Sequence, residues 1–462
     1  MRTRGGLKIF NGIHKFQQGD DFILLDVNSG AVHMIDALTF EVLDDFDGTN
    51  DAHVISRLSG KYPAAEISEV LDELHQLIDA GELFAPDIDV PPTFASRGVV
   101  KSLCLMVAQD CNLRCKYCFA GGGTYGHRAV MSADVGYAAV DFIIKNSGLR
   151  RHCEIDFFGG EPLVNFRTVK AVTEYVRRRE ADTGKIFKLT LTTNGLLLDE
   201  KATAWLNANN ISLVLSLDGR KEIHDAMRPD ISGRGSYDRV VKNFRRTVES
   251  RGGENYYLRG TYTRRNLDFT TDVLSAHDAG FDILSTEPVV LKDSPLALTY
   301  DDLPTIRAEY DRLTDAYLAR RREGRGFNFF HFNVDLNNGP CVAKRLSGCG
   351  AGHEYFAVAE NGDLYPCHQF VGRERYRLGN IFDGVDQGAR HWLKYFRESH
   401  VLNKPKCRDC WAKFFCSGGC HANADLFNAD IREPYDLGCE IQRKRLECAI
   451  YVQAKLADET DA

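Results

Sequence analysis

The sequence predicts an α/β protein built on a parallel sheet, barrel-like or doubly wound. A small mixed module precedes the sheet and a loop-rich, cysteine-rich segment follows it. Three observations carry this reading. From residue 99 onward, six β-like segments alternate with helical patterns, the signature of a parallel sheet with crossover helices. Their ends share a chemistry of polar residues and glycine: Gln109-Asp110-Cys111, Gly159-Gly160-Glu161, Thr192-Thr193-Asn194-Gly195, Ser216-Leu217-Asp218-Gly219, Thr263-Arg264-Arg265-Asn266 and Glu287. In a βα barrel such ends form one face, and that face carries the chemistry. Finally, nine of the 14 cysteines fall after residue 336, in a stretch without a long periodic segment before residue 437. Metal, rather than a large apolar core, organises such a region.

The elements follow in order. His14–Gln17, Phe22–Val27 and Ala31–Ile35 read as strands, with Asn28-Ser29-Gly30 as the turn between the last two. Apolar residues at 67, 70, 71, 74, 77 and 78 repeat at the helical period, and Gly81 suits a C-terminal cap. Three strands and three helices in residues 1–85 suggest a winged helix-turn-helix. Residues 86–97, with Pro91-Pro92, read as a linker. The six sheet segments are Val99–Ala108, Cys153–Phe158, Phe187–Thr193, Ile211–Leu217, Tyr256–Thr263 and Asp282–Val290, within residues 98–335. Ala133–Asn146 reads as a helix capped by Ser132, and Leu437–Ala457 as a terminal helix closing residues 336–462.

Composition narrows the function. The 462 residues are 44% hydrophobic and 27% charged, which excludes a disordered chain, a fibre and a coiled coil. No apolar run approaches the ~18 residues of a membrane span, and the N-terminus lacks a signal-peptide pattern. A cytoplasmic protein without membrane attachment is expected, and there clustered cysteines point to metal or catalysis rather than disulfides. Residues 1–95 hold 6 Lys and Arg against 17 Asp and Glu, a net −11; the remainder holds 52 against 48, a net +4. An acidic module is a poor reader of nucleic acid, so no nucleic-acid partner is expected.

Two cysteine constellations stand out. Cys111, Cys115 and Cys118 follow the first sheet segment with the spacing CxxxCxxC. They are either one buried helix face or three thiolate ligands. A four-iron cluster needs four ligands, so three thiolates leave one iron open for a small chelating molecule. The second constellation comprises Cys349, twelve residues, Gly362, four residues and Cys367, followed by Cys407, Cys410, Cys416, Cys420 and the distal Cys439. Its CxxC pair also suits a zinc ribbon. Cys104, Cys153 and Cys448 match no ligand spacing and are expected to pack as small hydrophobes.

CxxxCxxC with Tyr117 before its last cysteine, followed on the next strand by Gly159-Gly160-Glu161-Pro162, resembles the radical S-adenosylmethionine enzymes. The resemblance implies a partial (β/α)6 TIM-like barrel. It also implies a cluster on Cys111, Cys115 and Cys118 whose open iron binds S-adenosylmethionine, which is reductively split to methionine and a 5′-deoxyadenosyl radical. By the same resemblance Gly159, Gly160, Glu161 and Pro162 form the motif that takes the methionine amino group, while Thr193, Asn194, Ser216 and Asp218 contact its ribose or carboxylate. The later constellation is similar to the SPASM domain. That similarity implies one auxiliary four-iron cluster on Cys349, Cys367 and Cys420, and another on Cys407, Cys410, Cys416 and Cys439. Cys341 or a substrate thiol would complete the first. Three four-iron clusters and S-adenosylmethionine are thus the expected cofactors.

Asp26-Val27-Asn28-Ser29-Gly30-Ala31-Val32-His33, Phe157-Phe158-Gly159-Gly160-Glu161-Pro162 and Tyr365-Pro366-Cys367-His368-Gln369-Phe370 are similar to maturases of the six-cysteine-in-forty-five (SCIFF) peptides. This implies thioether formation between a cysteine sulfur and an acceptor α-carbon in a ribosomally made, cysteine-rich precursor. Residues 1–85 would bind its leader, and an electron donor such as ferredoxin or flavodoxin would serve the clusters. Related sulfatase-maturing enzymes carry an Asp as proposed base where this chain has His368, which speaks against sulfatase maturation; His368 is either a proton acceptor or a loop histidine. Other radical modifications, a C–C link or formylglycine, stay open, as does an iron–sulfur or zinc winged-helix sensor.

Overall fold

A computed structural model describes residues 12–88, 98–336, 346 and 348–461. Cys341 and residues 89–97 of the expected linker lie outside the described residues. The chain opens with a three-stranded antiparallel meander, β1 (Ile13–Gln18), β2 (Asp21–Asp26) and β3 (Val32–Ile35), in spatial order 1-2-3. The β2–β3 turn is held by Asp26, whose Oδ1 accepts hydrogen bonds from the Asn28 and Ser29 amides. Helices α1 (Ala37–Val42), α2 (Asp51–Leu58) and α3 (Ala64–Asp79) follow. Period-2 alternation makes the meander two-faced. Ile13 and Leu24 pack with the module's own helices, whereas Phe16, Ile23, Leu25 and Val27 join the main core. The strands and helices stand where the sequence predicts them; their order does not by itself establish a winged helix-turn-helix.

All six sheet segments are strands: β4 (Ser102–Gln109), β6 (His152–Gly159), β7 (Ile186–Thr193), β8 (Ser212–Ser216), β9 (Tyr256–Tyr262) and β10 (Ile283–Pro288), with a short β5 (Ala129–Val130) antiparallel to β4. They pair in parallel in the order 4-6-7-8-9-10. A doubly wound sheet reverses its strand order at a switch point; this order is monotonic, which decides for the barrel-like alternative. The barrel is partial. β10 pairs onward with β11 (Asn328–Phe329), and the free side of β4 is taken by β12 (Tyr355–Val358). From there β13 (Asp363–Tyr365), β14 (Gly379–Asn380) and β15 (Gly384–Val385) extend the sheet antiparallel into the cysteine-rich region.

Crossover helices cover the outer face. Ser132 caps α4 (Ala133–Asn146) by accepting from the Val135 amide, as its position predicts. Leu103, Leu105 and Val107 of β4, Ile155 and Phe157 of β6, and Leu189 and Leu191 of β7 pack against these helices. Each such side chain contributes about 1.5–3 kcal/mol on burial. The opposite parity faces inward. On β9, Tyr256, Leu258 and Tyr262 are buried, while Tyr257, Arg259 and Thr261 point to the other face. Cys104, Cys153 and Cys448 are all buried in the core, as expected of non-ligand cysteines.

The terminal helix, Asp436–Asp461, ties the three regions together. Arg445 donates to Glu287 at the end of β10 (2.9 Å), Tyr451 donates to Asp21 (2.8 Å), and His14 Nε2 lies 3.1 Å from Glu447. The His14 ring also stacks on Trp411, with centroids 3.9 Å apart and planes 5° apart.

Candidate functional site

The loop after β4 carries Cys111, Cys115 and Cys118. Its amides are anchored on the segment that follows β8: Arg114 donates to the Pro229 carbonyl (2.8 Å) and Lys116 to that of Met227 (2.9 Å). Asp110 Oδ1 accepts from the Cys111 amide and Asn194 Nδ2 reaches Cys111 Sγ at 3.6 Å, so the loop is fixed to the ends of β4 and β7. Burial pushes the Cys111 thiol up to about 12 and the Cys115 thiol to about 11, Arg228 opposing the shift at Cys115. Binding a metal cluster must therefore displace protons from these thiols.

Two glycines bring the end of β6 against that loop. Gly159 adopts φ +137°, and a Cβ there would lie 2.2 Å from the Ala108 carbonyl oxygen. A Cβ on Gly160 would lie 2.3 Å from the Asp110 carbonyl oxygen. Only glycine permits this approach, which lets the Gly160 and Glu161 amides donate to Ala108 and Asp110.

A cavity of about 440 Å³ opens at the strand ends. Cys111, Cys115, Tyr117 and Cys118 lie on its wall, with Gly159, Gly160, Thr193, Asn194 and Ser216. Three of the residues expected to contact S-adenosylmethionine are placed otherwise. Pro162 is buried and starts a 3₁₀ turn. Glu161 is fully buried: its carboxylate accepts from Thr193 Oγ1 (2.8 Å), the Leu163 amide (3.1 Å) and the Asn194 amide (2.7 Å). Burial raises this carboxyl to about 7 against those bonds. Its side chain buttresses the Thr193-Asn194 turn rather than facing the cavity. Asp218 is likewise buried beneath the wall. It accepts from Tyr117 Oη (2.6 Å), Arg228 and the Thr261 amide (3.1 Å). The Arg228 guanidinium in turn lies over the Tyr117 ring, 5.4 Å from its centroid.

The same cavity reaches the cysteine-rich region, for His368, Gln369 and Cys420 also line it. The His368 ring packs 4.8 Å from that of Phe158, and Nδ1 lies 3.1 Å from Tyr355 Oη. Burial, helped by Arg259, lowers its pKa to about 4, so the imidazole is neutral at neutral pH. Cys349, Cys367 and Cys420 are near enough for their charges to interact, as are Cys407, Cys410, Cys416 and Cys439. These proximities follow the two groups that the resemblance to the SPASM domain implies. Buried Lys404 lies near Cys420 of the first set and Cys407, Cys416 and Cys439 of the second, which feel its charge, and its Nζ donates to the Gly418 carbonyl (3.0 Å). Among the described residues no three side chains close tightly enough to hold a single metal ion. Thiolates on the corners of a four-iron cluster stand farther apart than the ligands of one zinc.

Sequence reasoning missed Arg228, Arg259, Thr261 and Lys404 and named Glu287 only as a strand end. The period-2 parity of Tyr256–Tyr262 is the signal that points Arg259 and Thr261 inward.

Comparison with known proteins agrees with this layout. The sequence model of the radical SAM superfamily matches residues 105–258, and that of the SPASM iron–sulfur cluster-binding domain matches residues 349–411. A cysteine-type anaerobic sulfatase-maturating enzyme of Clostridium novyi (strain NT) is 24% identical over 347 residues, 71% of this chain and 90% of that protein. Two solved structures share the fold. One, native anSMEcpe with bound AdoMet and Cp18Cys peptide, has a TM-score of 0.63 and 21% identity, covering 78% of this chain and 99% of that one. The other, Streptococcus suis SuiB bound to precursor peptide SuiA, has a TM-score of 0.50 and 16% identity, covering 94% and 99%.

Proposed function

We propose that this chain, a radical S-adenosylmethionine enzyme with a SPASM extension, forms thioether links between cysteine sulfur and acceptor α-carbons in a cysteine-rich precursor peptide. The observation that carries the reading is one cavity lined both by Cys111, Cys115 and Cys118 and by His368 and Cys420. Relatives that act on peptides or proteins, and the SuiB structure with its precursor peptide, support a peptide substrate.

The donor sets fit the groups they are proposed to hold. Cys111, Cys115 and Cys118 would bind one four-iron cluster, with the Gly159-Gly160 backbone, Thr193, Asn194 and Ser216 around its S-adenosylmethionine. Cys349, Cys367 and Cys420 would bind a second cluster and Cys407, Cys410, Cys416 and Cys439 a third. Once loaded, these groups would supply a 5′-deoxyadenosyl radical to take the α-hydrogen and an acceptor for the electron released as the C–S bond forms. The protein's own part is placement. Asp218 and Arg228 lock Tyr117, Glu161 locks the Thr193-Asn194 turn, and neutral His368 offers an imidazole nitrogen to the proton of an incoming thiol. Residues 1–85, as a winged-helix type module, would hold the leader, and a ferredoxin or flavodoxin would donate electrons.

The test is anaerobic reconstitution followed by reduction with S-adenosylmethionine. About twelve irons per chain and 5′-deoxyadenosine are expected, and the Cys111→Ala, Cys115→Ala, Cys118→Ala triple variant should keep about eight irons and form no 5′-deoxyadenosine. Co-expressed precursor should lose the mass of two hydrogens per link. Cleavage persisting in the triple variant refutes the cofactor assignment, and an aldehyde in place of a thioether assigns the chain to formylglycine formation.

A further inference from the structure

Lys404 is 1% exposed. A lysine is almost never enclosed so fully unless it is paired. Yet among the described residues it forms no ion pair, and the Gly418 carbonyl is the sole acceptor for an ammonium that has three N–H donors. Residues 337–345, which lie outside the described residues, contain no Asp or Glu. Asp430, an acid that feels its charge, accepts instead from Tyr395 and the Arg432 amide. The surroundings are apolar. Val401 forms a small buried cluster with Leu346 and Cys407, and a Cβ on Gly418 would lie 3.3 Å from Val401 and 3.6 Å from the Lys404 ammonium. An ammonium enclosed in this way without a counter-charge is costly.

Three cysteines bracket it. The Lys404 carbonyl accepts from the Cys407 amide (2.9 Å), and its ammonium is held on Gly418, two residues from Cys416 and two from Cys420. Cys407 and Cys416 belong to the same expected set, Cys407, Cys410, Cys416 and Cys439. A four-iron cluster on four thiolates is anionic, so it supplies the counter-charge that the protein withholds. Its reduction adds one further negative charge. A buried cation beside it therefore favours the reduced form, and the net charge around a cluster is one of the terms that set its potential.

We propose that Lys404 is the counter-ion of the cluster on Cys407, Cys410, Cys416 and Cys439, and that it raises the reduction potential of that cluster so that it takes up the electron released as the C–S bond forms. The proposal rests on the cluster assignment and the peptide-modifying function argued above. Lys404 does not line the cavity, so it is a positioning residue that acts through the cluster rather than on substrate.

The experiment is a redox titration followed by electron paramagnetic resonance, on the reconstituted full-length chain carrying Cys111→Ala, Cys115→Ala and Cys118→Ala, which leaves the auxiliary clusters to be read. A parallel sample with Cys349→Ala and Cys367→Ala added shows which signal belongs to the Cys407 set. Lys404→Gln can still donate to Gly418 but has no charge. It should lower the reduced-to-oxidised ratio of that cluster at a fixed potential about tenfold, a shift of about 59 mV to more negative potential for one electron. The other auxiliary cluster should shift by less than half as much. Lys404→Met, a second neutral variant, should reproduce the shift, whereas Lys404→Arg should stay near the unaltered potential. An unchanged potential in the Gln and Met variants overturns the proposal, as does an equal shift in the Arg variant. Iron falling below about eight per chain in both neutral variants overturns it too, by making Lys404 a structural support of the Gly418 loop. An unaltered enzyme that holds zinc instead of iron, or that forms no 5′-deoxyadenosine, refutes the parent reading instead, and does so before any Lys404 variant is measured.

Discussion

Asp218 and Arg228 form a buried ion pair at 2.9 Å, the carboxylate fully enclosed and the guanidinium 10% exposed, directly beneath the Tyr117 ring. The pair fills the gap between the CxxxCxxC loop and the ends of β8 and β9. Its members reach two neighbours, the Tyr117 hydroxyl and the Thr261 amide. Removing one member of such a pair leaves a buried charge unpaired and costs about 3–5 kcal/mol, whereas removing both together is often far milder. Asp218→Ala and Arg228→Met should each lower the thermal midpoint of the reconstituted enzyme by several degrees. The double variant should recover part of the loss. Single variants with unchanged midpoints would show that the pair does not hold this wall.

Gly160→Ala tests how closely β6 must approach the cysteine loop. The new Cβ would lie 2.3 Å from the Asp110 carbonyl oxygen and 2.6 Å from that of Gly123, both of them backbone atoms with no flexible end to swing away. The end of β6 and the loop must separate, so Cys111 moves relative to Cys115 and Cys118. Iron analysis should fall from about twelve to about eight per chain, with S-adenosylmethionine cleavage lost. Gly388→Ala, where nothing lies within 4 Å, should keep full iron and full cleavage.

How much of this was readable from the sequence divides along a physical line. The six parallel strands were legible because apolar runs and βα alternation are local patterns, and each observed strand starts and ends within three residues of its expected segment. The later cysteines were legible as a spacing, but their division into two sets was implied only by the resemblance to the SPASM domain; members of each set lie close enough for their charges to interact. The roles of Glu161 and Asp218 were not legible. A carboxylate at a strand end looks the same in one dimension whether it faces a ligand or its own neighbours, and here Thr193, Asn194, Tyr117 and Arg228 claim the oxygens. Lys404 carried no signal at all, because a lysine in a loop reads as solvated until Gly418 and two cysteine groups are found around it.

His368 sets a pH expectation with a definite sign. Burial disfavours its charged form, so its pKa falls to about 4 and the ring keeps an unprotonated nitrogen above that pH. A role as proton acceptor would then be present across pH 5–8 and lost only as pH falls through about 4. His368→Gln should lower thioether yield by about tenfold or more, within the range typical of a general base, with the same proportional loss at pH 6 and pH 8. A loss that vanishes at pH 6 would mean that the ring titrates near its ordinary value. A variant that forms thioether at the normal rate would make His368 a packing residue against Phe158.

The last expectation concerns the outer strand of the N-terminal meander. β3 pairs with β2 on one side and has no strand on the other, among the described residues. An extended leader segment added there would gain affinity from main-chain hydrogen bonds and specificity from alternate side-chain pockets. The module's acidic charge favours a leader carrying Lys or Arg and makes binding weaken with salt. Deleting residues 1–85 is a poor test, because Phe16, Ile23, Leu25 and Val27 belong to the main core and the terminal helix would lose its partners His14 and Asp21. Proline at His33 and at Met34, one variant each in the full-length enzyme, is a cleaner test. Neighbouring strand amides point in opposite directions, so one proline removes an outward donor and the other breaks pairing with β2. The outward-facing variant should keep its thermal midpoint and uncoupled S-adenosylmethionine cleavage, yet bind a basic leader peptide at least tenfold more weakly. Undiminished leader binding in that variant would show that the leader does not add to β3 and that the module serves as a structural cap on the terminal helix.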